Sequence, residues 1–86
     1  MQLTYTIRVN NQIVAKAEYM GIAATIAAAF KGEKEVKIID NIYKRVAFNN
    51  HGKAQAFGEI YNILIEKQEQ FRKDYAAKSA AALDRA

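Results

Sequence analysis

"LTYTIRVNNQIVAKAEY", from Leu3 to Tyr19, is the stretch on which the fold turns. Its first half sets Leu3, Tyr5, Ile7 and Val9 on one side and Thr4, Thr6 and Arg8 on the other. That period-two alternation marks a half-buried strand. The second half repeats it, with Ile13, Ala15, Ala17 and Tyr19 sharing a side. A two-residue Asn10-Asn11 turn would set Tyr5 opposite Lys16 and Leu3 opposite Glu18. A three-residue loop, Asn10-Asn11-Gln12, instead pairs Val9 with Ile13, Ile7 with Ala15 and Tyr5 with Ala17. Directly opposed residues share a face, so the second register is the coherent one. Asn tolerates the left-handed backbone such a loop needs.

Working outward, "GIAATIAAAFKG" carries Ile22, Ile26, Ala29 and Phe30 at helical spacing, with Gly21 as N-cap and Gly32 placed for a left-handed C-terminus. "EVKIIDNIYKRVAF" reads as a second hairpin that pairs Ile38 with Val46, Val36 with Phe48 and Asp40 with Lys44 around Asn41, Ile42 and Tyr43. "NNHGK" breaks the pattern, with Asn50 as a candidate N-cap and a last helix beginning near Lys53 or Ala54. The reading is a single α+β domain over residues 1–86 in ββαββα order. Residues 1–50 form the core, a four-stranded antiparallel sheet with helices on one face, and residues 53–85 form a long C-terminal helix.

That helix is too long for its sheet. Residues 54–85 would run roughly 48 Å, whereas a seven-residue strand spans about 23 Å. The first half, with Phe57, Ile60, Tyr61 and Leu64, is expected on the sheet and the second half to overhang it. Phe57, Tyr61, Leu64, Gln68, Phe71, Tyr75, Lys78 and Ala82 follow a 4-3 spacing, a heptad seam weakened at Gln68 and Lys78. Glu69–Lys73 and Asp74–Lys78 are favourable pairs on its exposed sides. Gln68, Phe71 and Tyr75 are therefore candidate contacts for a second copy or another helix. An Ala-rich solvated tail is the plainer alternative.

Composition narrows the function. An 86-residue chain has room for one modest core, and without cysteine it has neither disulfides nor thiolate metal sites. The N-terminus has no signal-type apolar run and the longest apolar stretch is far too short to span a bilayer, so a cytoplasmic protein is expected. The net charge of +4 lies wholly in residues 1–53, which hold eight cations against four carboxylates. An acidic partner is the natural complement.

Chemistry finds few residues to use. One His and one Ser, with no Cys, leave only single candidates for a nucleophile–base pair, and His51 reads as a turn residue. Glu33, Glu35 and Asp40 could ligate a hard cation, but interleaved lysines oppose one. No enzyme, metal or cofactor is expected. Binding is better served. The sheet face away from the helices is expected to carry Arg8, Lys16, Lys37 and Arg45 beside Thr4, Thr6, Glu18, Val14 and Ile39. Such a face suits phosphates or a carboxylate-rich protein, or is simply solvated. No aromatic interleaves these cations to stack on bases. Ile42 and Tyr43, apolar at a hairpin tip, either cap the core edge or anchor a partner.

The strand–strand–helix–strand–strand layout, carried by "YTIRVNNQIVAKAEY" through "RVAF", resembles small phage-encoded inhibitors of host defence, including some anti-CRISPR proteins. The resemblance implies a cytoplasmic protein of the host cell that blocks a nuclease or defence complex by surface occlusion, often at a nucleic-acid-binding site. It assigns no role to any residue. A nucleic-acid-binding accessory protein using the basic face, and a self-assembling structural module using the helix seam, are the alternatives.

Overall fold

The computed structural model describes residues 3–30 and 35–84. Its elements follow the expected order: β1 (Tyr5–Val9), β2 (Gln12–Ala17), α1 (Met20–Ala29), β3 (Val36–Asp40), β4 (Arg45–Asn49) and α2 (Phe57–Asp84). The strands form one sheet in the order β2-β1-β3-β4, with every neighbouring pair antiparallel. On one face α1 lies over β1, β2 and β3, while α2 packs on α1 and β4. Tyr5, Ile7, Val9, Val36, Ile38 and Phe48 meet Ile60 and Leu64 there in a continuous buried core. Gly32 and Glu33, assigned a helix cap and a possible cation ligand above, lie outside the described residues.

Each hairpin departs from its expected register at a bulge. Tyr5 does pair with Ala17 and Ile7 with Ala15, but Val9 pairs with Gln12 rather than Ile13. The turn is the two-residue Asn10-Asn11 form, with φ of 51° and 67°, as the twist of a type I′ hairpin requires. An extra residue, Val14, bulges out of β2 between the two registers. The bulge reconciles the short turn with the apolar pairing beyond it. In the second hairpin none of the three expected pairs forms: Ile38 pairs with Phe48 rather than Val46, Ile39 takes Val46, and Asp40 pairs with Arg45 rather than Lys44, so Ala47 is the extra residue. Its loop is Asn41 to Lys44, closed by Lys44 at a φ of 57°. The Asp40 carboxylate accepts from the backbone N–H of Ile42 at 2.9 Å and of Tyr43 at 3.1 Å.

Both helices also start differently. Tyr19, in extended conformation, precedes α1, so Gly21 lies within the helix instead of capping it. Its buried side chains are Ala23, Ala24 and Ala27, not the expected Ile22–Phe30 stripe. A helix apolar at every position but Thr25 and Gly21 gives periodicity little with which to select a face. Small side chains let it approach the sheet and α2 closely, while Ile26 and Phe30 pack at the margin and Ile22 faces water.

Asn50 does not cap α2. It is buried, and its Oδ1 accepts from Val36 N–H and Gly52 N–H, both at 2.9 Å. Asn50, His51, Gly52 and Lys53 form a tight turn, with Lys53 N–H donating to Asn50 C=O and positive φ at His51 and Gly52. The chain then needs Ala54 to Ala56 to cross from the sheet edge, and α2 begins at Phe57. Ile60 N–H donates to Ala56 C=O.

Candidate partner-binding surfaces

The two bulges decide which side chains occupy the open face of the sheet. Register pairs define two rows across it: Lys16, Thr6, Ile39 and Val46, then Ile13, Arg8, Lys37 and Asn49. Arg8, Lys16 and Lys37 therefore stand on this face as expected. Arg45 does not. One residue of slippage exchanges the two sides of a strand, so the bulge at Ala47 sends Arg45 to the helix side and Val46 out to solvent. The bulge at Val14 likewise brings Ile13 onto the open face. Three cations and three apolar side chains consequently share the face, with Arg8 beside Lys37 and Ile39 beside Val46.

Arg8 and Lys37 are direct cross-strand partners at the sheet centre, a like-charge juxtaposition that is unfavourable by itself. Glu35 offsets it by pairing with Lys37 at 3.1 Å. Arg8 Nε is buried and meets no hydrogen-bond acceptor among the described residues. Beside it the face dips into a depression of about 380 Å³ between Arg8, Lys16, Ile13 and Ile39. Asn41 Nδ2 fixes one wall of the depression by donating to Leu3 C=O and Thr6 Oγ1, both at 2.8 Å. The two cations in its lining, Arg8 and Lys16, make the depression positive and suit it to an anionic group.

Arg45 belongs to a different cluster, which pins the long helix. Its guanidinium lies 4.5 Å from the centre of the Phe71 ring and donates to Asp74 at 3.0 Å. Tyr43 packs on the other residues of this corner, 5.9 Å from Phe71 and 6.3 Å from Tyr75 between ring centres. Phe71 is only 3% exposed. The expectation that it overhangs in water is overturned, because the β3–β4 tip reaches α2 two turns further along than strand length alone suggests. Tyr43 thus caps the core edge, whereas its neighbour Ile42 points outward. The expected helical ion pairs are replaced too: Asp74 binds Arg45 and Glu69 binds Arg72 at 2.8 Å.

The seam on α2 is accordingly divided. Leu64 and Phe71 are buried in their own domain, while Phe57, Tyr61, Gln68, Tyr75 and Lys78 are exposed. The side chain of Ala82 lies outside the described residues. Tyr61, Ile65 and Gln68 line a groove of about 490 Å³ together with Tyr19 and Ile42. Sequence reasoning missed Tyr19 and Ile65 because this groove joins three elements that are distant in the chain. The Tyr5 phenol also lines it; burial, then the nearby Asp40 and Tyr61, push its pKa up to about 12.

Among the described residues no group of three or more His, Asp or Glu side chains could hold a metal ion, and no helix is long and apolar enough to cross a membrane. No protein-family model, curated protein or solved structure matches this chain.

Proposed function

We propose that this chain is a small non-enzymatic binding protein whose open sheet face docks on an acidic surface of another protein. The observation that carries the reading is that Arg8, Lys16 and Lys37 share one uncovered sheet face with Ile13, Ile39 and Val46. Apolar area and cations on one face match the make-up of a protein interface, where burial supplies affinity and charge supplies orientation and approach rate. A surface built for a nucleic-acid backbone alone has less use for exposed Ile and Val, and no aromatic here stacks a base.

Inhibition of a host nuclease or defence complex is the version we favour, with a restriction from charge. A basic face repels the cationic channel that holds nucleic acid, so the target would offer a carboxylate-rich surface instead. The nucleic-acid-binding alternative rests on one specific observation, the meeting of Arg8 and Lys16 in the lining of a single depression suited to a phosphate.

The test is affinity capture from a bacterial lysate, with and without nuclease, comparing the unmodified chain with a variant carrying Arg8→Glu, Lys16→Glu and Lys37→Glu. A protein captured after nuclease treatment and lost with the triple variant supports the reading. Capture that depends on intact nucleic acid and weakens steeply with salt selects the alternative. A complex indifferent to all three reversals removes this face from the function. Arg45 is left out of the set, since its reversal would disturb α2.

A further inference from the structure

We propose that a second copy of this chain covers the apolar surface formed by the groove between α1 and α2, on the side of the molecule away from the open sheet face. Tyr19, Ile42, Tyr61 and Ile65 line that groove, and Phe57 extends it by stacking on Tyr61 at 5.6 Å between ring centres. These five side chains are between 36% and 66% exposed. At roughly 200 Å² for a large side chain, they leave on the order of 500 Å² of apolar surface in water. That lies at the upper end of what one apolar patch on a monomer presents.

The area is also what a dimer needs. A standard interface buries about 800 Å² per partner, a little over half of it apolar, or roughly 450–500 Å². The surface has both halves of a self-complementary contact. The stacked Phe57–Tyr61 pair and Ile42 at the hairpin tip stand beside the concavity, so a two-fold axis can seat the projections of each copy in the groove of the other. Glu18 is the one charged side chain among the groove lining, so no cluster of like charge faces itself across the axis. The Tyr5 hydroxyl, neutral through the physiological range, adds no charge either. This dimer is independent of the acidic partner, and it replaces the Phe71 seam as the reason to expect self-association.

The experiment is light scattering coupled to size exclusion across a wide concentration range, on the unmodified chain and on Tyr61→Glu with Ile65→Glu. Both positions are exposed, and circular dichroism checks that the variant keeps its fold. The unmodified chain is expected to approach twice its monomer mass as concentration rises. The variant should lose at least about 100-fold in dimer affinity, as for two interface residues each worth tenfold or more. Tyr75→Glu, two turns beyond Gln68 along α2 and outside the groove lining, should leave the dimer unchanged. Because the chain has no cysteine, a spin label on Gln68→Cys gives a second measure. Two labels close across the axis support the proposal. A monomer at every concentration overturns it. So does a dimer that survives both glutamates, or capture of a different protein that requires these side chains while the chain alone stays monomeric.

Discussion

Replacing Phe71 by Ala separates a docked α2 from an overhanging one. Truncating a buried Phe costs ~3–5 kcal/mol, with the low end where the surroundings can collapse into the space. Phe71 sits at a corner, with α2 continuing beyond it, so the low end applies. Part of the loss comes from the Arg45 contact at 4.5 Å, worth about 0.5–1 kcal/mol near the surface. The tilted contact with Tyr43 at 5.9 Å contributes a further ~0.5–1.5 kcal/mol. The exposed Arg45–Asp74 pair adds little. About 3 kcal/mol is a large share of the roughly 4–13 kcal/mol expected for a chain of this length. Urea unfolding should show the loss, and amide exchange should show it concentrated in α2 from about Gln68 onward. Tyr75→Ala, at a side chain 66% exposed, should cost under about 1 kcal/mol. If Phe71→Ala costs less than about 1 kcal/mol and leaves exchange in α2 unchanged, Phe71 is not the anchor and the docking of this corner is wrong.

Two further predictions concern buried polar groups. Asn50→Ala should destabilise by about 2–3 kcal/mol, because it leaves Val36 N–H buried without its side-chain acceptor and loosens the turn at Gly52. Exchange should accelerate first at Val36; acceleration confined to the start of α2 would restore the helix-cap role and refute the clamp. Tyr5 makes stability fall at high pH. Its folded pKa is raised from 10.0 to about 12, so the native state holds a proton that the unfolded state releases. The contribution is complete below pH 10 and is lost progressively as pH rises from 10 towards 12, by up to ~3 kcal/mol. Tyr5→Phe should flatten that part of the profile in urea titrations, and an identical slope in both proteins would rule Tyr5 out as its cause.

The alternation in Leu3–Val9 and the length of residues 54–85 were enough to determine the element order, the antiparallel sheet and the long last helix. These are local properties: side-chain period and the absence of Gly and Pro after Gly58 are written residue by residue. Charge placement was legible for three of the four cations: Arg8, Lys16 and Lys37 stand where they were expected, and Arg45 does not. The sequence even held a sign of the first bulge. Its turn signal at Asn10-Asn11 and its apolar pairing disagreed by one residue, and an inserted residue satisfies both.

What only the tertiary structure decided follows from those insertions and from packing between distant elements. A bulge at Ala47 carries Arg45 from the open face to Asp74 and Phe71 and puts Val46 in its place. The choice of the Ala face of α1 depends on how closely a neighbouring sheet and helix approach, which periodicity within a nearly all-apolar helix does not record. Phe71 looked exposed because a heptad pattern states which side chains share a side of a helix. Whether that side meets its own domain, a second copy or water depends on where the β3–β4 tip, Tyr43 included, arrives in space.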